Sequence, residues 1–324
     1  MDFELSDEQV ALVDGVQSFC EGRFPIATVR ALADEGGIRR DLWQELADLG
    51  LFSLRLSGAD GGAELGWADA VLTFEQLGRA VVPGPLVWTH LLAGIVPGAA
   101  TGETIVSGID RSDPSALVEF PESIDVLAVA DDDGLWSVDA SGLAIDPLAP
   151  LDPLTPVGRL REPLPQGERL LDAEGLAALR VQGAALTAGV LLGLAEAATD
   201  LAVAYAKDRQ QFGRPIGAFQ SLKHLMADMF ARAEVARGAV YAAGVTLDDP
   251  AVGSVVRAVA AAKLTAAEAA LANAKTCIQV HGGMGYTWEI DAHLYLKRAY
   301  ALEPAFGTRD DWADTMADLL DALV

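Results

Sequence analysis

The chain has 324 residues, of which 51% are apolar, and 47 acidic against 23 basic side chains give a net charge of −24. The apolar share excludes wholesale disorder, the length suits two or three domains, and so acidic a field repels nucleic acid and anionic membrane. Two cysteines, Cys20 and Cys277, and four scattered histidines (His90, His224, His281, His293) argue against a disulfide framework or a metal site.

Met1-Asp2-Phe3-Glu4-Leu5 is acidic where a signal or transit peptide is basic, so a cytoplasmic protein is expected. Ser6-Asp7-Glu8-Gln9 has the capping-box pattern and predicts the start of a helix. Leu42, Trp43, Leu46 and Leu49, at helical spacing, predict a second helix that stops at Gly50. Gly58 to Gly62 reads as a turn, and a helix is predicted from Trp67 to Ala80. The uncharged run from Ala80 to Gly102 raises the question of a membrane. Pro83, Pro85 and Pro97 break it, and no span is expected there.

From about 103 to 170 the texture changes. Ala116-Leu117-Val118-Glu119-Phe120 is a short apolar run, and two more, Val126 to Ala130 and Leu135 to Val138, flank Asp131-Asp132-Asp133-Gly134. That pair reads as a β-hairpin. Prolines at 147, 150, 153, 156, 163 and 165 punctuate short strands. From 171 onward the chain is rich in Ala and Leu, with helices predicted at 172–208, 217–245, 251–280, 289–301 and 309–323. The expected fold is mainly α with a small β domain: an N-terminal helical domain (1–102), a shortened middle β domain (103–170) and a C-terminal helical bundle (171–324).

Two stretches concentrate chemistry. In Asp208-Arg209-Gln210-Gln211-Phe212-Gly213-Arg214-Pro215-Ile216, Gly213 and Pro215 break a helix between two amphipathic ones. An arginine beside exposed backbone N–H groups suits a pyrophosphate, and equally describes an ordinary helix–loop–helix with a surface arginine. In Gln279-Val280-His281-Gly282-Gly283-Met284-Gly285-Tyr286-Thr287, the glycines let a backbone approach a ligand, and are also common helix-ending chemistry. His281 alone reads as a hydrogen-bonded interior residue.

Taken together, RQQFGRPIGAFQSLKHLMADM and, about fifty residues on, QVHGGMGYTWE strongly resemble the acyl-CoA dehydrogenase family. The N-terminal zone agrees: Phe3-Glu4-Leu5-Ser6-Asp7-Glu8-Gln9, Leu46-Ala47-Asp48-Leu49-Gly50, Gly61-Gly62 and Glu75-Gln76-Leu77-Gly78-Arg79-Ala80 follow that family's order. The resemblance implies dimers or tetramers with FAD across a subunit interface, one subunit holding the isoalloxazine and its neighbour the pyrophosphate and adenosine. It places Arg209 on the pyrophosphate, Gln211 and Phe212 along the groove, and Gln279, Gly282 and Gly283 beside the phosphate and ribose portion. It also implies an acyl-CoA substrate and electron-transfer flavoprotein as acceptor.

The family's reaction needs a carboxylate that removes the α-proton of an acyl-CoA while hydride leaves the β-carbon. Many members place that Glu just before Gly-Thr, whereas here Ala305-Phe306-Gly307-Thr308 puts Phe306 at the position. Glu303 would need a shift of register. Other members place the base on the helix before the RxxFG motif, but Val181-Gln182-Gly183-Ala184 contains no acid, and Glu174 and Glu196 lie too far along. The Thr-Glu-Pro…Gly-Ser-Asp segment that cradles the isoalloxazine has no counterpart between 100 and 170, and Trp136 has different surroundings from the family's tryptophan. No catalytic residue and no metal are therefore assigned. The chain resembles the short subunit of heteromeric actinobacterial dehydrogenases that act on steroid side-chain CoA esters. The expectation is an FAD-dependent oxidoreductase acting on CH–CH, active as a heterotetramer with a catalytic paralogue. Two alternatives stay open: a self-sufficient homo-oligomeric dehydrogenase using Glu303 or another base, and a flavin-free structural subunit.

Overall fold

A computed structural model describes residues 4–111 and 116–321; Met1, Asp2 and Phe3 of the amino-terminal motif lie outside them. Among the described residues are ten α-helices and nine strands, and the fold is mainly α with a small β domain. The chain divides into two compact units. The first comprises 1–26, 67–82 and 184–324, and the second 27–66 and 83–183.

In the second unit, α2 (Ile26–Asp34) and α3 (Arg40–Asp48) precede α5 (Leu86–Leu92) and the strands β1 (Val106–Asp110), β2 (Val118–Glu119), β3 (Val126–Ala130), β4 (Gly134–Asp139), β5 (Ile145–Leu148), β6 (Val157–Leu160) and β7 (Glu168–Asp172). α3 buries Leu42, Trp43 and Leu46, as the spacing predicts. Leu49 departs from that expectation: it caps the helix and is 40% exposed. Gly50, at φ +90°, ends the helix in the left-handed region. The expected hairpin forms between β3 and β4, with Ala130 opposite Leu135. Asp131 Oδ1 accepts from the Asp133 and Gly134 N–H groups, so the Asp/Gly run closes its own turn. The sheet orders are β1-β3-β4-β7, with β1 parallel to β3, and β2-β6-β5. Arg40 ties α3 to the sheet through both oxygens of Asp125, at 2.8 and 2.9 Å.

In the first unit, α1 (Asp7–Arg23) opens on the expected capping box. Ser6 Oγ accepts from Gln9 N–H at 3.2 Å and Gln9 Oε1 accepts from Ser6 N–H at 3.2 Å, an arrangement worth about 1 kcal/mol. α4 (Trp67–Arg79) packs on α1 and on α7 (Gln220–Asp248). α6 (Ala173–Asp208) is 36 residues long and runs from the second unit into the first. α8 (Val255–His281), α9 (Ala292–Leu302) and α10 (Arg309–Asp321) complete the bundle, each within a few residues of its predicted span.

Small side chains let these helices meet backbone to backbone. A Cβ at Gly193 would lie 2.0 Å from the Glu75 carbonyl oxygen, and one at Gly78 would lie 2.1 Å from the Val190 carbonyl oxygen. Gly193→Ala alone would force α4 off α6. Asn273, fully buried on α8, donates to Met229 O of α7 at 2.9 Å and to Thr199 Oγ1 of α6 at 3.1 Å, which locks three helices in one register. α6 is apolar and long enough to cross a membrane, yet 78% of its apolar window is buried within the protein, as in a core helix. The 80–102 run instead forms α5 and turns.

Candidate functional site

The C-terminal end of α6 leads into a two-residue hairpin, β8 (Gln210–Gln211) against β9 (Arg214–Pro215). Phe212 and Gly213 form its turn at φ +52° and +77°, the pair of left-handed residues that a type I′ hairpin requires. Glycine adopts this readily, whereas a phenylalanine there is strained. Arg209, Gln211 and Phe212 are all exposed, Phe212 at 90%. Phe212 meets Phe219 edge-on at 6.0 Å, and the Arg214 guanidinium lies 4.1 Å over the Phe219 ring.

α7 begins immediately after, with Phe219 as its N-cap and no side-chain hydrogen bond capping it. Its first N–H groups and the positive end of its dipole therefore favour an anion. Lys207, Arg209, Arg214 and Lys223 are exposed around this point, a basic locus on a strongly acidic chain.

α8 ends at His281, and Gly282, at φ +61°, returns its N–H to Gln279 O. Gln279 is exposed, and a Cβ built on Gly282 or Gly283 would meet nothing within 4 Å. Gly285 differs, since a Cβ there would strike Ile278 O at 2.4 Å. One glycine of the run is required by packing, and two present a bare backbone face. His281 is buried, its Nδ1 2.8 Å from Cys277 O, and it stacks on Tyr205 of α6 at 4.1 Å. Ile216, Ala206, Ile278 and Val280 share one core cluster. The ends of α6 and α8 are thus side by side, which brings the two sequence-predicted segments together.

The loop at the expected base position is built with equal care. Phe306 sits at φ +56° and Gly307 at +104°. Trp312 Nε1 donates to Phe306 O at 3.1 Å, and Lys263 Nζ donates to Ala305 O. Lys263 is fully buried, and burial pulls its ammonium down to about 7 against the opposing charges of Glu303 and Asp311. Glu303, the alternative base, accepts from Arg309 N–H at 2.8 Å and thereby caps α10. Glu196, the acid farther along α6, is 5% exposed and paired with Arg79 and Arg237.

Sequence reasoning missed Lys263 and Trp312. A lone lysine among alanines, Ala260-Ala261-Ala262-Lys263, was the signal available, because a charge on an otherwise apolar helix face demands a buried partner.

The model of the acyl-CoA dehydrogenase N-terminal domain matches residues 6–103, and that of the acyl-CoA dehydrogenase C-terminal domain matches 179–319. Acyl-CoA dehydrogenase IpdE2 of Mycobacterium tuberculosis is 36% identical over 287 residues, 85% of each chain. Among solved structures, the Tcur3481-Tcur3483 steroid acyl-CoA dehydrogenase (a G363A variant) superposes with a TM-score of 0.84 at 24% identity, over 98% of both chains. The ChsE4-ChsE5 complex from Mycobacterium tuberculosis gives 0.84 at 22% identity, over 99% of both. Matched in sequence along most of its length and in fold throughout, the chain belongs to the acyl-CoA dehydrogenase family.

Proposed function

We propose that this chain is the base-less subunit of an FAD-dependent acyl-CoA dehydrogenase complex, holding the pyrophosphate and adenosine half of the flavin for a catalytic paralogue. Phe306 carries the reading. The loop is strained, braced and in place, yet the side chain at the base position is a phenyl ring, which accepts no proton. Removal of the α-proton then belongs to the partner, in a heterotetramer of the two chains.

Bound FAD would supply the hydride acceptor. The residues here fit its phosphate end: the uncapped start of α7, the exposed Arg209, and the open faces of Gly282 and Gly283. Arg209 would pair with the pyrophosphate, Gln211 and Phe212 would line the groove, and Gln279 would border the ribose portion. The substrate proposed is a steroid side-chain CoA ester, and the acceptor electron-transfer flavoprotein, in the cytoplasm. Family membership supports the acyl-CoA thioester, and the two-component, steroid-acting structural neighbour is in keeping with the rest. The division into domains at 1–102, 103–170 and 171–324 belongs to the same proposal.

The test is to assay acyl-CoA-dependent dye reduction by the chain purified alone and with its co-expressed paralogue. The chain alone should be colourless and inactive, and the mixed oligomer yellow and active. Turnover by the chain alone would establish a self-sufficient dehydrogenase, and an active complex from which this chain could be removed without loss of flavin would make it merely structural.

A further inference from the structure

Helices α4, α6 and α7 of the first unit enclose a polar cluster that the flavin reading does not use. Glu75 of α4 and Glu196 of α6 are 4% and 5% exposed. Glu196 takes both available arginines. Arg79 Nη1 donates to one oxygen at 2.7 Å, and Arg237 Nη2 of α7 donates to the other. The same arginines also reach acids at the rim, Arg79 to Asp200 and Arg237 to Glu234.

Glu75 has no such partner. Its carboxyl faces the Tyr241 hydroxyl of α7 and the Glu196 carboxylate, and its Oε2 is buried without a hydrogen bond. Two carboxyl groups confronting one another in a dry interior cannot both be ionised. With Arg79 and Arg237 both paired to Glu196, the proton resides on Glu75. Burial first, and the Glu196 charge second, push Glu75 up to about 8, while burial and Glu75 together push the Tyr241 hydroxyl up as well.

The remaining charged and titratable groups sit farther out. Tyr295 of α9 lies toward Arg79 and Asp200, and α1 meets α4 through Gln9 and Asp69 at 3.0 Å. Glu4, Gln9, Ala68, Leu72, Tyr241 and Val245 line a surface pocket of about 50 Å³ on the far side of Tyr241, large enough for a water molecule.

We propose that Glu75 is held as the neutral acid and works as a proton-linked latch, seating α4 on α6 and α7 when protonated and loosening that seat when it ionises. The seat has no slack to absorb a second buried charge, because Gly193 already places α6 against the backbone at Glu75. The folded chain keeps a proton that the unfolded chain releases near 4.5. Stability therefore falls as pH rises from about 4.5 to about 8, and the loss is complete above that range.

The proposal is independent of flavin binding. Its test compares thermal unfolding of the full chain and of Glu75→Gln between pH 6 and 9. Glutamine matches the neutral acid in shape, so the variant should pull ahead as pH rises, the gap in Tm widening by about 3 °C or more. Parallel curves would overturn the latch. Infrared spectroscopy of the parent gives a second reading that needs no variant. The carbonyl stretch of a protonated carboxylic acid should be present at pH 7 and lost by pH 9. An unchanged spectrum over that range would overturn it too.

Discussion

Phe212-Gly213 and Phe306-Gly307 share a backbone: each pairs a phenylalanine at φ near +55° with a left-handed glycine. The first is a hairpin tip in the open, its ring 90% exposed and beside exposed cations. The second is clamped by Lys263 and Trp312 through the carbonyls of Ala305 and Phe306. A bulky residue at positive φ costs about 1–3 kcal/mol and persists only where its surroundings dictate it. In the first turn the strain presents side chains suited to an anion. In the second the strain holds a phenyl ring, which accepts no proton. Such strain can therefore be imposed by packing alone, because the contacts that hold it also close the bundle.

The largest effect should come from the open turn. Arg209→Ala in the complex should weaken flavin retention about 10- to 100-fold, the equivalent of one charge-assisted contact, with the chains still associated. Equilibrium titration with FAD measures it, and full retention would reduce Arg209 to a surface charge. Gly283→Ala should lower flavin retention several-fold and leave Tm unchanged, because the methyl meets no protein atom but enters the face offered to the cofactor. Unaltered retention would make this helix end purely structural.

The clamped loop should answer to pH instead. Lys263, held near 7 when folded and near 10.5 when unfolded, leaves a buried charge that destabilises the fold below pH 7 and is relieved as pH rises toward 10. Lys263→Met removes that dependence, so its Tm relative to the parent should be higher at pH 6 than at pH 10. A constant difference would show that the lysine is solvated. The smallest effect is expected of Phe306→Glu. A carboxylate restored to this loop should add neither flavin nor dehydrogenation rate, since without a hydride acceptor about 3–3.5 Å from the β-carbon it has nothing to act with. A doubled rate would mean that a second isoalloxazine cradle survives.

Much of this was legible in the chain. The five helices after residue 171 follow from uninterrupted Ala/Leu periodicity, and the β3–β4 hairpin from an Asp/Gly turn between two apolar runs. The segments carrying Arg209 and Gly282 were legible as motifs, whereas their adjacency was not, since it depends on Tyr205 stacking on His281. β1 escaped because Val106 to Asp110 pairs in parallel with a strand twenty residues on, and no local turn announces it. The uncharged run at 80–102 drew the question of a membrane, whereas the helix long and apolar enough to cross one is the predicted one at 173–208, whose apolar window is 78% buried in the protein. Glu75 stood in the sequence only as part of the Glu75-Gln76-Leu77-Gly78-Arg79-Ala80 motif. Only the close approach permitted by Gly193 shows that it faces Glu196.

The central claim is that this chain contributes half of a flavin site and forms none of its own. Counting FAD per polypeptide tests it most directly, by absorbance of the purified complex against quantified amounts of both chains. The account predicts one FAD for each pair of unlike chains and none on this chain purified alone. A stable homo-oligomer of this chain carrying one FAD per polypeptide would contradict it.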